Sequence, residues 1–149
     1  SDEIVVMKLG VMQQREAPQE VYNNPTNLFV AKFLGTPPIN VFKGTIKDGY
    51  VYIGEQKVMS TEHPNQDIYV GVRPEGFIVD NRRGVFTCEL ERVEVMGRER
   101  SIICKCPECE TPVVRAIVED YANKGENTVT FSFKKGKVFL FNRETERRL

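Results

Sequence analysis

From about residue 35 onward, short apolar segments alternate with polar residues and are separated by turn residues roughly every ten positions. Phe86, Cys88 and Leu90 show the pattern clearly, because the residues between them are polar. A period of two predicts a strand with one buried face and one solvent-facing face. About eight or nine such segments are typical of a small β-barrel or β-sandwich.

The strand that contains Cys88 has a break in its alternation. After Leu90 the apolar residues continue at Val93 and Val95, on odd instead of even positions. One residue between Leu90 and Val93 therefore has to be accommodated by a β-bulge or a bend. Bulges let strands curl, so we expect a curved sheet, as in a barrel.

Two turn signals predict hairpins. Asp48-Gly49 lies between the apolar segments 41–46 and 50–53, and both turn residues tolerate a positive φ. Lys135-Gly136 lies between segments 129–133 and 138–141, which predicts a second, closing hairpin near the end of the sequence.

The first 35 residues show a mixed α/β pattern. Segments 4–7 and 11–14 predict two short strands around a glycine turn, and residues 18–22 predict a short helix. Asn24 and Pro25 are suited to begin a second helix that ends at Gly35. That helix is apolar for its length, so we expect it to pack against something larger. Its apolar side chains at helical spacing are Phe29, Val30, Phe33 and Leu34.

The charge balance disfavours several classes of protein. Lysine and arginine total 21, and aspartate and glutamate total 21, for a formal net charge of +0. A chain without excess positive charge has no general attraction to nucleic acid or to anionic membranes. No apolar run approaches the roughly 20 residues that cross a bilayer, and residues 4–7 are too short for a signal peptide. We expect a soluble chain that is not exported.

The single histidine, His63, limits the enzymes that the sequence can encode. Its neighbours include Thr61, Pro64 and Asn65, which are typical of an exposed turn. A Ser/His/Asp or Cys/His catalytic group would need this residue. We interpret His63 as a solvated turn residue.

Four cysteines without a secretion signal favour reduced thiols over a disulfide framework. Cys106 and Cys109 form a Cys-x-x-Cys motif, which in a tight turn can place two thiolates on one zinc ion. If residues 96–100 close a hairpin, Cys88 lies roughly opposite Cys104 on the same face, which completes a candidate zinc site. Two alternatives stay open, namely packing of the thiols as small hydrophobic groups and a disulfide between neighbours.

Three segments resemble one protein family. The first comprises residues 2–7, 10–14, 18–22, 25, 27–31 and 33–40. The second is Val70-Gly71-Val72-Arg73-Pro74-Glu75, and the third is Val138-Phe139-Leu140-Phe141 with residues 143–149 after it. In order and spacing they resemble the carboxy-terminal part of the ATP-binding subunits of carbohydrate-importing ABC transporters of the maltose-importer type.

The resemblance implies an organisation that composition does not supply. Residues 1–35 resemble the end of an ATPase domain, and residues 36–149 resemble the transport-associated OB (TOBE) regulatory domain, which implies a mainly β fold of OB-like barrels. It also implies a homodimer. In the complete subunit the expected partners are the membrane subunits of the transporter and cytosolic regulatory proteins, at the cytoplasmic face of the cell membrane.

The resemblance implies ATP and magnesium as cofactors of the complete subunit, but the motifs that bind them are missing here. The sequence has no glycine loop that ends in Gly-Lys-Ser/Thr, whose amides and lysine would hold the phosphates. The family's signature loop, magnesium-binding aspartate, catalytic glutamate and switch histidine are missing as well. We therefore expect no ATPase activity and no bound nucleotide for this chain alone.

The segment with Gly71, Arg73, Pro74 and Glu75 allows two interpretations. It either forms a docking contact for a regulator, or it is a structural turn in which Arg73 and Glu75 pair with the neighbouring barrel. The structural interpretation is favoured, because charged residues at a strand end commonly satisfy local groups.

Basic and aromatic residues concentrate near the end of the sequence. An OB-fold surface for RNA uses the same residue types. However, aromatic residues at a period of two are more often part of a core, so we expect no nucleic-acid partner. The basic residues are Lys134, Lys135, Lys137, Arg143, Arg147 and Arg148, and the aromatic residues are Phe131, Phe133, Phe139 and Phe141.

The sequence thus predicts a regulatory and dimerisation region of the ATP-hydrolysing subunit of an ABC importer for sugars, of the multiple-sugar, maltose or glycerol-phosphate type. The alternatives are an OB-type module that senses a small ligand and an RNA-binding OB domain. If the ATPase core is missing, residues 4–7 and the helix with Phe29 and Phe33 lose their covering surface. We therefore expect a dimer whose contacts include residues before Gly35.

Overall fold

A computed structural model describes residues 2–149. It begins with a strand pair and two short helices, namely β1 (Ile4–Lys8), β2 (Val11–Glu16), α1 (Pro18–Asn23) and α2 (Leu28–Phe33). Ten strands follow, namely β3 (Asn40–Lys47), β4 (Tyr50–Ile53), β5 (Gln56–Ser60), β6 (Gln66–Val72), β7 (Phe77–Val79), β8 (Phe86–Met96), β9 (Glu99–Lys105), β10 (Val114–Glu119), β11 (Thr128–Phe133) and β12 (Val138–Asn142). A 3-10 turn, Pro74–Gly76, separates β6 from β7.

The ten strands after α2 form two antiparallel sheets of five strands each. Their orders are β12-β6-β3-β4-β5 and β10-β9-β8-β11-β7. Apolar side chains from both sheets form one core, in which the ring of Phe42 meets the ring of Phe86 edge to face, with centroids 5.2 Å apart. The predicted mainly β class is confirmed.

The bulge in β8 lies where the alternation breaks. β8 pairs with β9, and the register shifts between Leu90 and Arg92. The hairpin at Asp48-Gly49 is also present, with φ values of 50° and 86° that glycine and aspartate tolerate. Both predictions follow from local residue types and are confirmed.

The predicted closing hairpin is wrong. β11 pairs with β7 and β8, whereas β12 pairs with β6 in the other sheet. Phe131 and Phe133 pack on Phe77, so the turn at Lys135-Gly136 carries the chain from one sheet to the other. Alternation identifies the buried face of a strand but does not identify its partner.

The second helix begins later than predicted. Its N-cap is Asn27, whose side-chain oxygen accepts a hydrogen bond from the Val30 N–H at 2.9 Å. Asn24 instead ends α1, where its N–H donates to the Glu20 oxygen at 2.8 Å. Both asparagines suit a cap, so residue type alone did not distinguish them.

The N-terminal segment has a small core of its own and also packs on the barrel. Val6, Val21 and Val30 are fully buried together. Leu28 and Ala31 of α2 pack against a set of barrel side chains, which are Ile39, Val41, Phe139 and Phe141. The barrel and the N-terminal segment therefore cover most of the apolar face of α2, and of its apolar side chains Phe33, at 58% exposure, remains open to solvent.

Residues 143–149 run along the start of α2. The Leu28 N–H donates to the Glu146 oxygen at 2.9 Å, and the Arg148 N–H donates to the Thr26 oxygen at 3.0 Å. This tail holds the N-terminal segment against the barrel from a second side. Within residues 2–149, no helix has the length and apolar character needed to cross a bilayer.

Candidate functional site

Arg73 directly follows β6 and is only 1% exposed, although it carries a charge. Its Nη1 atom donates hydrogen bonds to the backbone oxygens of Ala31 at 2.8 Å and Leu34 at 2.9 Å. Its Nη2 atom donates to the backbone oxygen of Tyr22 at 2.8 Å. The last carbonyls of a helix have no partner within the helix. One side chain of the barrel therefore satisfies carbonyls at the ends of both α1 and α2.

Aromatic rings enclose the Arg73 guanidinium. Its Cζ atom lies 4.0 Å from the centroid of the Tyr22 ring and 5.6 Å from that of Phe139. A cation over an aromatic face is attracted by the ring quadrupole, and more strongly when water is excluded. Burial lowers the pKa of Arg73, but a guanidinium still remains charged.

Glu75 lies beside this contact and pairs with two other residues. The Tyr22 hydroxyl donates to Glu75 Oε2 at 2.5 Å, and Lys137 Nζ lies 3.5 Å from the same oxygen. Burial, the hydrogen bond to Glu75 and the charge of Glu75 raise the pKa of Tyr22 to about 12. Desolvation of Glu75 is outweighed by the hydrogen bond from Tyr22 and the charge of Lys137, so the pKa of Glu75 is lowered. We call Arg73, Tyr22, Glu75 and Lys137, with the carbonyls of Ala31 and Leu34, the Arg73 junction.

The other residues of the Gly-x-Arg-Pro-Glu segment shape the backbone at this point. A Cβ atom at Gly71 would lie 2.9 Å from Ile39 Cδ1 and 3.3 Å from Phe141 Cε2, so a larger residue would force Ile39 to move. Pro74 is buried and starts the 3-10 turn, a position where its missing N–H costs nothing.

The geometry of the Arg73 junction is that of a structural contact. The partners of Arg73 are backbone carbonyls of α1 and α2, whereas the sequence-based interpretation placed them on the neighbouring barrel. Tyr22 and Lys137 were not identified from the sequence. A backbone carbonyl carries no residue signature, and Tyr22 is 53 residues away from Glu75, so no local pattern could reveal the contact.

Cys88, Cys104 and Cys106 are buried together at the pairing of β8 with β9. All three residues belong to the same buried cluster of the barrel core. Leu90, and not Cys88, is the residue opposite Cys104 in the pairing of β8 with β9. Cys88 and Cys104 are thus diagonal neighbours on one face, close to the predicted arrangement.

Cys109 lies apart from this cluster. It is partly buried, and its Sγ lies 3.3 Å from Thr111 Oγ1 and 3.7 Å from the backbone oxygen of Val113. Across residues 2–149, no three His, Cys, Asp or Glu side chains are grouped as a metal ion requires. The four-cysteine zinc site stays a prediction.

The basic and aromatic residues near the end of the chain are divided between the core and the surface. Phe131 and Phe141 are fully buried in the core. Arg143 donates to the backbone oxygens of Gly44 and Ile68, and Arg148 donates to the backbone oxygen of Pro25. Phe133 is only partly buried and lines a cleft of about 540 Å³ together with Phe139, Lys134, Lys135 and Arg148, so the absence of a nucleic-acid partner stays a prediction. His63 is exposed in a turn, as predicted.

A cleft of about 810 Å³ opens between β7, β10 and the segment that follows β10. Carboxylates dominate its polar lining, and Tyr121 contributes an aromatic ring. The carboxylates belong to Glu75, Glu99, Glu119, Asp120 and Glu126. Because Glu75 also belongs to the Arg73 junction, the cleft adjoins that contact.

No family model matches the chain. A solved structure of the cytoplasmic molybdate-binding protein ModG, with molybdate bound, aligns at a TM-score of 0.48 and 16% identity, over 68% of this chain and 94% of ModG.

Relatives are found among ATP-binding proteins. The ABC transporter ATP-binding protein YcjV of Escherichia coli O157:H7 is 34% identical over 155 aligned residues, which cover 96% of this chain and 42% of YcjV. An ATP-binding protein of Brucella suis biovar 1 is 36% identical over 105 residues, which cover 68% of this chain and 30% of that protein. The chain thus spans less than half the length of these relatives. Its homologues are ABC transporter ATP-binding proteins, which it matches along almost its whole sequence.

Proposed function

We propose that this chain is the carboxy-terminal region of the ATP-binding subunit of an ABC importer for sugars, of the multiple-sugar, maltose or glycerol-phosphate type. In this proposal residues 1–35 end the ATPase domain, and residues 36–149 form a TOBE regulatory domain. The complete subunit binds ATP and magnesium, hydrolyses ATP, and works as a dimer with the membrane subunits on the cytoplasmic side of the cell membrane. Cytosolic regulatory proteins are its further partners.

The Arg73 junction is the observation that carries the proposal. It ties the two segments together through a buried charge, since three hydrogen bonds run from the barrel to the carbonyls of α1 and α2. A regulatory domain needs a stiff connection to the ATPase domain that it controls. Buried hydrogen bonds give such stiffness, because breaking one leaves a polar group inside the protein without a partner.

The tail at residues 143–149 supports the same proposal. Its backbone pairs with Thr26 and Leu28 next to α2, while Leu149 donates to the Leu140 oxygen of β12 at 3.0 Å. The barrel therefore holds the helix segment at two separate places. A displacement of α2 has to be transmitted to β12 and to β6.

The proposal is tested first on the gene. The coding sequence upstream of Ser1 should encode a glycine loop that ends in Gly-Lys-Ser/Thr, followed by the remaining ATPase motifs. An upstream sequence without that loop would contradict the assignment.

The second test uses the complete subunit assembled with its membrane subunits. Arg73→Ala should leave ATP binding intact and should uncouple hydrolysis from sugar transport, because the ATPase domain is no longer held by the barrel. The control is Arg82→Ala, since Arg82 is exposed and lies outside the Arg73 junction. Equal coupling in the two variants would show that the junction serves folding alone.

A module that senses a small ligand is the second candidate function, and the cleft beside Glu75 is the observation that favours it. Its carboxylates repel anions, so a neutral sugar should bind there in preference to phosphorylated sugars or oxyanions. Calorimetric titration of these three ligand classes tests this function. A heat signal with oxyanions alone would contradict binding in this cleft.

A further inference from the structure

The cysteine cluster offers chemistry that the proposed function does not use. Cys88 is the third residue of β8, and Cys106 directly follows the last residue of β9. Their side chains are 3% and 7% exposed and belong to the barrel core. Cys104, two residues before Cys106, is fully buried beside them.

The strand register places Cys88 opposite Cys106. Glu89 pairs with Lys105, and the antiparallel ladder continued by one residue brings Cys88 to Cys106. Both side chains are buried in the same core cluster, which agrees with that continuation. Cys104 lies opposite Leu90 and reaches Cys88 only on the diagonal.

The hydrogen-bond pattern shows which kind of pair this is. The Leu90 N–H donates to the Asn127 oxygen at 2.8 Å, so even-numbered residues of β8 direct their backbone groups toward β11. The Cys106 oxygen accepts from the Cys109 N–H at 3.0 Å and not from β8. Cys88 and Cys106 therefore form a non-hydrogen-bonded pair, in which Cα atoms are about 4.5 Å apart. That spacing lies within the range of Cα separations in disulfides, roughly 4.4–6.8 Å.

We propose that Cys88 and Cys106 are a dithiol that closes to a reversible cross-strand disulfide when a hydroperoxide oxidises it. The thiolate of Cys106 attacks one peroxide oxygen, the O–O bond breaks, and the sulfur becomes a sulfenic acid while the protonated leaving group departs as an alcohol, or as water when the oxidant is hydrogen peroxide. Cys88 then attacks that sulfur, the S–S bond forms, and the hydroxyl of the sulfenic acid leaves as water with the proton of Cys88. Two thiols lose two electrons, and one hydroperoxide gains them.

The exposure of the two thiols suits these roles. Cys106 is 7% exposed and lies at the start of a connecting segment, whereas Cys88 is 3% exposed within β8. Cys106 Sγ lies 3.7 Å from Glu108 Oε1. Cys106 is thus the thiol that a peroxide reaches first, and Cys88 is the thiol that resolves.

The disulfide would act on a segment that joins several parts of the fold. Residues 106–113 connect β9 to β10, and the Lys43 N–H donates to the Glu108 oxygen at 2.9 Å. Glu110 reaches both neighbours, because its N–H donates to the Val41 oxygen at 2.7 Å and its carboxylate lies 2.8 Å from Lys32 of α2. Fixing Cys106 to β8 therefore restricts a segment that contacts both the barrel and α2.

Peptide mapping of the unmodified chain tests the proposal. The reduced protein is treated with hydrogen peroxide in the presence of a metal chelator, alkylated, and digested with trypsin without reduction. Cleavage after Lys105 separates Cys104 from Cys106, so the peptides 84–92, 101–105 and 106–115 carry Cys88, Cys104, and Cys106 with Cys109. We expect peptide 84–92 to be linked to peptide 106–115, and about two of the four thiols to be lost.

Cysteine variants identify the sulfur atoms. Cys109→Ser should keep the link between the two peptides, and Cys106→Ser should abolish it. Cys88→Ser should leave Cys106 as a sulfenic acid that dimedone traps. A bond inside peptide 106–115, a link to peptide 101–105, or four alkylated thiols after oxidation of the unmodified chain would each overturn the proposal.

Discussion

The guanidinium of Arg73 donates a hydrogen bond of 2.8 Å to the carbonyl of Ala31, which lies 42 residues earlier in the chain. Ala31 is in the helix that precedes the barrel, and Arg73 follows a central strand of the barrel. The contact is buried, so water would not replace the hydrogen bond if the contact were lost.

Replacement of Arg73 by alanine should destabilise the chain by about 2–4 kcal/mol, because three backbone carbonyls lose their buried donors. Arg73→Lys should recover only part of this, since an ammonium group cannot reproduce the planar fork. Urea denaturation measures the free energy of unfolding. The exposed control Arg82→Ala should stay within about 0.5 kcal/mol of the unmodified chain, and an equal value for Arg73→Ala would refute the role of the junction.

Stability should fall as the pH rises from about 10 to about 12. The pKa of Tyr22 is raised from 10.0 to about 12 in the folded chain, so its contribution is complete below the unfolded value and is lost as the hydroxyl ionises. Thermal unfolding across this range, compared between the unmodified chain and Tyr22→Phe, measures the effect. The phenylalanine variant should show a weaker pH dependence, and an identical pH dependence would contradict the raised pKa.

At acidic pH the pH dependence of stability has the opposite sign, and stability should fall as the pH decreases. The pKa of Glu75 is lowered in the folded chain, so its stabilising effect is present above its unfolded value and is lost as the pH falls through the folded value. Glu75→Gln should therefore flatten the loss of stability in acid. Urea denaturation at a series of acidic pH values checks this, with Glu62→Gln, at an exposed turn residue, as the matched control.

The chain alone should bind no magnesium-ATP. It lacks the Gly-Lys-Ser/Thr loop and the magnesium ligands of the ATPase motifs, so the phosphates have no site. Isothermal calorimetry is the measurement, and a micromolar dissociation constant would contradict the proposed assignment to the region after the ATPase motifs.

The zinc prediction is tested by metal analysis of protein purified under reducing conditions. A site at Cys88, Cys104, Cys106 and Cys109 should hold close to one zinc ion per chain, and Cys106→Ser should release it. Metal-free protein whose melting curve is unchanged by chelator would refute the site. The oxidation experiment includes a chelator because bound zinc would protect the same thiols.

The chain should form a dimer through the N-terminal strand pair of β1 and β2. Val5, Met7, Val11 and Met12 are between 46% and 61% exposed, and covering apolar area stabilises by about 25 cal/mol per Å². Light scattering should therefore show a dimer at high concentration.

Two variants decide where the dimer contact lies. Met7→Lys should weaken the dimer, whereas Val95→Lys, at the exposed end of the β8–β9 hairpin, should leave it unchanged. A chain that begins at Thr36 is a weaker control, because α2 covers Ile39 and Phe139 of the barrel. A strictly monomeric chain would refute the prediction, and a dimer that survives Met7→Lys would place the contact on the barrel.

Local features of the fold were predictable from sequence, and long-range pairings were not. The bulge after Leu90 and the turn at Asp48-Gly49 follow from parity and from the φ that each residue tolerates. β5 was missed because only Val58 of its five residues is buried, so it has no apolar alternation. β7 was missed because it has three residues.

In the candidate sites, too, local arrangements were predictable from sequence and long-range contacts were not. The cysteine cluster was predictable, because the hairpin at residues 96–100 brings Cys88 near Cys104. The partners of Arg73 were not, because they are main-chain oxygens whose positions depend on how α1 and α2 pack. The sequence shows which side chains carry a charge, but the structure is needed to find the backbone carbonyls that lie within hydrogen-bond distance of them.

The pairing of residues 146–148 with Thr26 and Leu28 has a consequence for biosynthesis. A ribosome releases the chain from its amino end, so α2 emerges more than a hundred residues before the backbone that will accept and donate its outer hydrogen bonds. Until residue 146 has left the exit tunnel, the Leu28 N–H lacks the oxygen that accepts it in the folded chain. The backbone contacts between the tail and the start of α2 therefore form only after all ten strands that follow α2 have been synthesised.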